Sequence, residues 1–246
     1  MEICLTSSRA ELGRKAARDI AEAIRRRLQR EVQLRIIFAA APSQAEMLDA
    51  LRNEPEIAWG RIHAFHMDEY IGLEPEASQR FGNWLSRTFF DHVPLGSVHL
   101  IEPGDDPAAE CVRYGSALTE VPIDMVLLGI GTNGHLAFND PPADLNDPVA
   151  VKVVELDQMC REQQVLDGCF GSLHEVPKRA ITVTVPTLLM AKELFCCVPG
   201  RLKARAVQAT LESPISGLVP ATALRTHSCC RIYLDPESGS MIANHE

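Results

Sequence analysis

Short apolar runs that alternate with amphipathic stretches constrain this chain more than any other feature. LRIIFAA at 34–40 has the length of a strand and no polar face, so it reads as fully buried. PSQAEMLDALRN follows, with Pro42 in its first turn and an apolar stripe behind, and reads as a helix. A helix over 9–30 precedes this pair. The order then recurs: a strand over 61–70, an aromatic-rich helix over 80–93, a strand at 97–101, a helix from about 107 to 119 and a strand at 124–130. Strands at 150–155, 180–185 and 193–198, a helix at 201–212 and a strand at 230–234 complete the chain. Such alternation predicts an α/β fold, with a mostly parallel sheet, helices on both faces and right-handed crossovers.

With 246 residues, 46% hydrophobic and 23% charged, the chain suffices for one large core, and 1–246 reads as a single domain. The least regular stretch is NDPPADLNDPV at 139–149, and a loop or lid segment is expected around 139–175. A mobile lid and a plain surface loop both fit it. The aromatic 80–93 helix serves equally as core or as the interface of a homo-oligomer.

The net charge of −9, without any basic stripe, argues against a nucleic-acid partner and leaves an anionic small ligand open. Arg25, Arg26, Arg27 and Arg30 read as the solvated face of the first helix. No apolar run approaches the ~20 residues of a membrane span, and MEICLTSSRAELGRK has charges where a signal sequence needs its apolar core. No membrane partner and a cytoplasmic location are expected. The eight cysteines, Cys4, Cys111, Cys160, Cys169, Cys196, Cys197, Cys229 and Cys230, show no CxxC spacing and are expected to be reduced and mostly buried.

Candidate chemistry concentrates where apolar runs end. VLLGIGTNGHLAFNDPP at 126–142 stops at glycines and delivers His135 between Asn133 and Asp140, with Gly129, Gly131 and Gly134 around it. An imidazole there can both take and give a proton, with a nearby carboxylate fixing its tautomer; a structural histidine after an Asn-Gly turn is the other reading. In HAFHMDEY the alternation puts His66 and Asp68 on one face, with Glu69 and Tyr70 at the strand end. Asp68 is placed for general-base work or, alternatively, for a turn or cap. His63 and His66 form an incomplete ligand set, and no metal site is expected. The small residues of FAAAPSQ, Ala39, Ala40, Ala41 and Ser43, let backbone N–H groups approach an anion at a helix start. Lys203 is either a cation for the same ligand or a surface lysine. Thr226 offers a further hydroxyl.

Together, MDEYIGL at 67–73, GIGTNGHLAFND at 129–140, VPKRAITVTV at 176–185 and GRLKARAVQATLE at 200–212 resemble the glucosamine-6-phosphate deaminase (isomerase) family, over essentially residues 5–235. That family is related to 6-phosphogluconolactonases. The resemblance implies a Rossmann-like three-layer sandwich and an amino-sugar phosphate deaminase/isomerase. His135 would open the pyranose ring by moving a proton from O1 to O5, and Asp68 would carry the C2 proton to C1. Asn133 and Asp140 would support the histidine, and the 38–44 loop with Lys203 would hold the phosphate. Glu69, Gly129, Gly131 and Gly134 fall in the matching substrate-binding motifs. The resemblance implies a small-molecule sugar phosphate as partner, and neither metal nor organic cofactor.

Three departures stand out. Asn133 occupies the family's usual Asp and Asp140 its usual Glu; Asn133 can still accept a hydrogen bond from the imidazole N–H but brings no charge, so either His135 is expected to be less basic or Asp140 to supply the charge alone. Phe38-Ala39-Ala40-Ala41-Pro42 replaces a glycine-rich phosphate loop. The family's phosphate-clamp arginine is missing, and DGCF at 167–170 carries no cation, which leaves Arg161 or Arg225 as substitutes. A 6-phosphogluconolactonase-like hydrolase and a non-catalytic sugar-phosphate sensor are the alternatives.

Overall fold

The computed structural model describes residues 1–242. Its centre is a seven-stranded sheet in the order β1-β10-β9-β6-β2-β3-β5, parallel at every pairing. The strands are β1 (Glu2–Leu5), β2 (Leu34–Phe38), β3 (Ile62–His66), β5 (Ser97–His99), β6 (Met125–Leu128), β9 (Glu193–Val198) and β10 (Cys230–Leu234). Consecutive strand residues alternate between two cores. Ile36, Phe38, Met125, Leu127, Phe195 and Cys197 belong to one, and Ile37, Val126, Leu128, Leu194, Cys196 and Val198 to the other. A sheet with both faces buried needs apolar residues at every position, which is why these runs lack polar alternation. The three-layer α/β expectation holds.

Helices α1 (Arg9–Leu28), α2 (Ala45–Arg52) and α3 (Phe81–Thr88) contribute to the first core; α4 (Pro107–Thr119), α6 (Val185–Leu189) and α7 (Ala204–Glu212) contribute to the second. Ser8 starts α1 by accepting from the Glu11 N–H at 3.2 Å, and Asp106 starts α4 by accepting from the Ala109 N–H at 3.0 Å. Phe81, Leu85, Phe89 and Phe90 are buried in the first core, so the aromatic segment serves the interior.

Several expectations are corrected. The strand expected over 61–70 breaks at Met67: β4 (Asp68–Tyr70) leaves the main sheet and pairs antiparallel with β8 (Arg179–Val183), which pairs antiparallel with β7 (Val151–Glu155). Strands 150–155 and 180–185 therefore build a second small sheet rather than extend the parallel one. The 139–175 segment is not one loop, since it contains β7 and α5 (Gln158–Leu166). Its irregular part is pinned: Asn139 donates to the Leu136 and Val183 carbonyls at 2.8 and 2.9 Å, and the Ala143 N–H to the Gly217 carbonyl at 2.9 Å. The α1 arginines are not a free solvated face either. Arg26 and Arg27 both pair with Glu193, at 2.9 and 2.6 Å.

All eight cysteines are free, with Cys160, Cys196, Cys197 and Cys230 buried and Cys229 exposed. Cys196 and Cys197 sit on opposite faces of β9, so adjacency in sequence keeps them apart in space. No helix among the described residues is long and apolar enough to cross a membrane.

Candidate active site

Four adjacent strands, β9, β6, β2 and β3, end at the same edge of the sheet, and the segments that follow them converge on one cleft. Ala39–Ala41 and Ser43 come from the turn after β2, Asp68 from the break after β3, Gly129 and Gly131 from the turn after β6, and Lys203 from the 3-10 turn after β9. His135 completes the wall. The carboxyl edge of a parallel sheet is where such folds bind ligands, because crossovers leave a crevice there.

The loop after β2 turns free backbone donors toward the cleft. Ala39 donates to the Leu127 carbonyl at 2.8 Å and so continues the ladder for one more residue. The N–H groups of Ala40, Ala41 and Ser43 then find no partner among the described residues, and all three line the cleft. Lys203 closes the far side, 8% exposed, its ammonium pulled down to about 8 by burial, with Asp167 acting in the opposite direction.

Asp68 is buried and makes no side-chain hydrogen bond to another described residue. Burial, with a smaller contribution from the charge of Glu69, pushes its carboxyl well above the usual carboxylate range. A carboxylate with raised proton affinity in a cleft is suited to take a proton from carbon and give it back.

His135 lies over Gly131, where any side chain would intersect the imidazole ring. Its Nδ1 is 3.0 Å from Asp140 Oδ1, although the carboxylate lies off the N–H direction and no aligned hydrogen bond forms. Asp140 also accepts from Asn133 Nδ2 at 3.0 Å and, through Oδ2, from the Asp157 N–H at 3.2 Å. Burial opposes its charge, yet His135, Asn133 and Asp157 together hold its carboxyl below the usual range. Asn133 does not meet the imidazole N–H as expected; its Oδ1 accepts from the main-chain N–H of His135 at 3.1 Å. Neither Asn133 nor Asp140 lines the cleft; both lie behind His135.

Other expected residues lie elsewhere. Glu69 is fully buried and outside the cleft; its carboxylate accepts from the N–H groups of Tyr70, Phe81 and Gly82 at 2.9, 3.0 and 2.9 Å and thereby caps α3. Burial holds it at about 7 despite those donors. Gly134 is a turn residue with φ of +85°, tucked against Val219. Arg161 is spent on the carbonyls of Leu173 and Val176, and Arg225 on those of Leu211 and Ser213. Neither replaces the missing clamp. Thr226 bonds back to the Ala223 carbonyl at 2.7 Å. Arg87 of α3 lines a hollow on the other side of Ala40, Ala41 and Pro42, its Nη2 donating to the Ser78 carbonyl at 2.9 Å.

Three polar cleft residues lie outside the expected set: Gln44, Gln163 and Gln164. Gln44 Nε2 donates to the Cys197 carbonyl at 3.1 Å and leaves its buried Oε1 without a partner. A buried amide beside a small-residue turn was the available signal. Gln163 and Gln164 lie on α5, inside the stretch read as a loop.

Comparison with known proteins decides the family. The model of glucosamine-6-phosphate isomerases/6-phosphogluconolactonase matches residues 7–232. The chain belongs to this family. It is 31% identical to the glucosamine-6-phosphate deaminase of Halothermothrix orenii over 247 residues, covering 98% of this chain and all of that one. It is 29% identical to that of Bacillus pumilus over 245 residues, with coverages of 98% and 100%. A solved monomeric glucosamine-6-phosphate deaminase superposes with a TM-score of 0.90 at 28% identity, over 98% of this chain and 100% of that one. The 6-phosphogluconolactonase of Trypanosoma brucei shares the fold, with a TM-score of 0.80 at 18% identity and 98% coverage of both chains.

Proposed function

We propose that this family member is an amino-sugar phosphate deaminase/isomerase, converting glucosamine 6-phosphate or an epimer to a ketose 6-phosphate and ammonia. The observation that carries the reading is that Asp68 and His135, delivered by different strand ends, line the same cleft as an anion loop and a buried lysine. The named activity of the relatives that match along their whole length supports it.

The anion loop and Lys203 hold the phosphate, and the sugar extends toward Asp68 and His135. His135 moves the O1 proton to O5 and opens the ring. Asp68 takes the C2 proton while the aldehyde O1 gains one from the substrate's ammonium group, forming an enolamine, and then returns its proton to C1, which leaves a protonated imine at C2. Water adds at C2, the C–N bond breaks, and ammonia departs from a ketose. Each proton taken is given back, so neither residue is consumed. A small-molecule substrate and a cytoplasmic setting accompany this reading, and a homo-oligomer is compatible with it.

The test is release of ammonia and ketose phosphate from glucosamine 6-phosphate and galactosamine 6-phosphate. Equimolar products from one of them are expected. Absence of turnover on both, with hydrolysis of 6-phosphogluconolactone instead, would replace the deaminase with a lactonase. Binding of both sugars without any turnover would leave a sensor.

A further inference from the structure

Behind the cleft face of His135, three side chains of different donor chemistry meet. A ring nitrogen of His135, a carboxylate oxygen of Asp140 and the thiol of Cys160 all lie within 4.8 Å of one another, and His135 Nδ1 is 3.0 Å from Asp140 Oδ1. Cys160 is fully buried and His135 is 8% exposed. The Nδ1 nitrogen is buried against the Asp140 carboxylate without an aligned hydrogen bond. The cysteine stands one turn into α5, held there by the Asp157 cap, which accepts from the Cys160 N–H at 2.7 Å.

We propose that His135, Asp140 and Cys160 form a binding site for Zn2+, whose occupation switches the cleft off. One imidazole, one carboxylate and one thiolate are a borderline-soft donor set, suited to zinc and poorly suited to magnesium or calcium. Zinc bonds of about 2.0–2.3 Å to these atom types put tetrahedral donors about 3.3–3.8 Å from each other, so the widest pair closes by up to about 1.5 Å while the Nδ1–Oδ1 pair, at 3.0 Å, opens by a few tenths. A water would supply the fourth position.

Binding involves no redox change. The Cys160 S–H bond breaks, an S–Zn bond forms and a proton leaves to solvent, so affinity rises with pH. Nδ1 gives its lone pair to the metal, which confines the ring proton to Nε2. His135 then cannot accept a proton from the substrate. This inhibitory consequence rests on the acid/base role proposed for His135, whereas the binding itself does not.

The experiment adds Zn2+ to the metal-free protein in competition with a chromophoric indicator, and Co2+ in parallel to read thiolate-to-metal absorption. One equivalent is expected to bind, with the thiolate band present and turnover falling along the same titration. Cys160→Ser, with basal turnover close to the unsubstituted protein, is expected to weaken Zn2+ about a hundredfold and to remove the band. Cys160→Ala serves as the second variant should the serine destabilise α5. No binding by the unsubstituted protein, or binding that both variants leave unchanged, overturns the site. Binding with a thiolate band but undiminished turnover keeps the site and overturns the acid/base role of His135 instead.

Discussion

Asn133 Nδ2 donates to Asp140 Oδ1 at 3.0 Å, the same oxygen that lies 3.0 Å from His135 Nδ1. The amide thus shares the charge that would otherwise serve the histidine alone. A second acid, Asp157, reaches the same amide at 3.5 Å. Asn133 is therefore the uncharged member that lets two carboxylates sit together, and its neutrality is part of the arrangement rather than a lost charge.

Asn133→Asp is expected to reduce activity, although it restores the residue that the family pattern has there. It places a carboxylate against Asp140 and Asp157, and carboxylates in contact cannot all ionise. One pKa rises, and the stability of the folded state falls as pH rises through the shifted value. A loss of about 1–3 kcal/mol at pH 7, or roughly 2–10 °C in Tm for a chain of this size, is the expected size, smaller at pH 5. Asn133→Asp combined with Asp157→Thr should recover most of it. Thermal melts at the two pH values measure this.

Asp68→Asn is expected to lower kcat by about a thousandfold while leaving KM within a few-fold, since proton transfer is lost and the phosphate contacts are kept. Because burial raises the Asp68 carboxyl, the rate in the unsubstituted protein should increase with pH through a group titrating above the ordinary carboxylate value of 3.8. A pH profile of kcat/KM that stays flat down to the ordinary aspartate range would remove Asp68 as the base.

Much of this was legible in the chain. The strands of the parallel sheet were readable because burial on both faces leaves no polar position, and the cleft residues Asp68, His135 and Lys203 because each follows such a run. β7 and β8 are legible as strands, whereas the break before β4 and the small sheet the three build are not, because a strand's partner and direction depend on distant segments: nothing near Met67 announces that the next three residues pair with Thr182, Ile181 and Ala180. α5 was hidden by the prolines and Asx residues before it. Glu69 misled for a simpler reason, since a polar residue at a strand end looks the same whether it faces a ligand or a helix terminus.

Glu69 supplies the cleanest contrast between those two roles. Glu69→Gln keeps the shape but puts an amide NH2 where a carboxylate accepted from three backbone N–H groups. A stability loss of about 1–3 kcal/mol is expected, with KM nearly unchanged. A large rise in KM at unchanged Tm would return Glu69 to the substrate.

Lys203 links substrate binding to pH. Burial disfavours the charge and pulls its ammonium down to about 8, so the free protein loses the cation proposed to hold the phosphate as pH rises through that value. A phosphate in the cleft favours the charged form, and by linkage affinity for it should fall about tenfold per pH unit well above 8. Inorganic phosphate as a competitive inhibitor reports this without involving catalysis. Lys203→Arg, whose guanidinium stays charged across the range, should flatten the alkaline limb even where it fits less well. Arg87 lies beyond the same loop and is exposed, so Arg87→Ala should weaken phosphate several-fold at every pH and leave the slope in place. A slope that survives in Lys203→Arg would mean that some other group titrates, and that Lys203 does not face the anion.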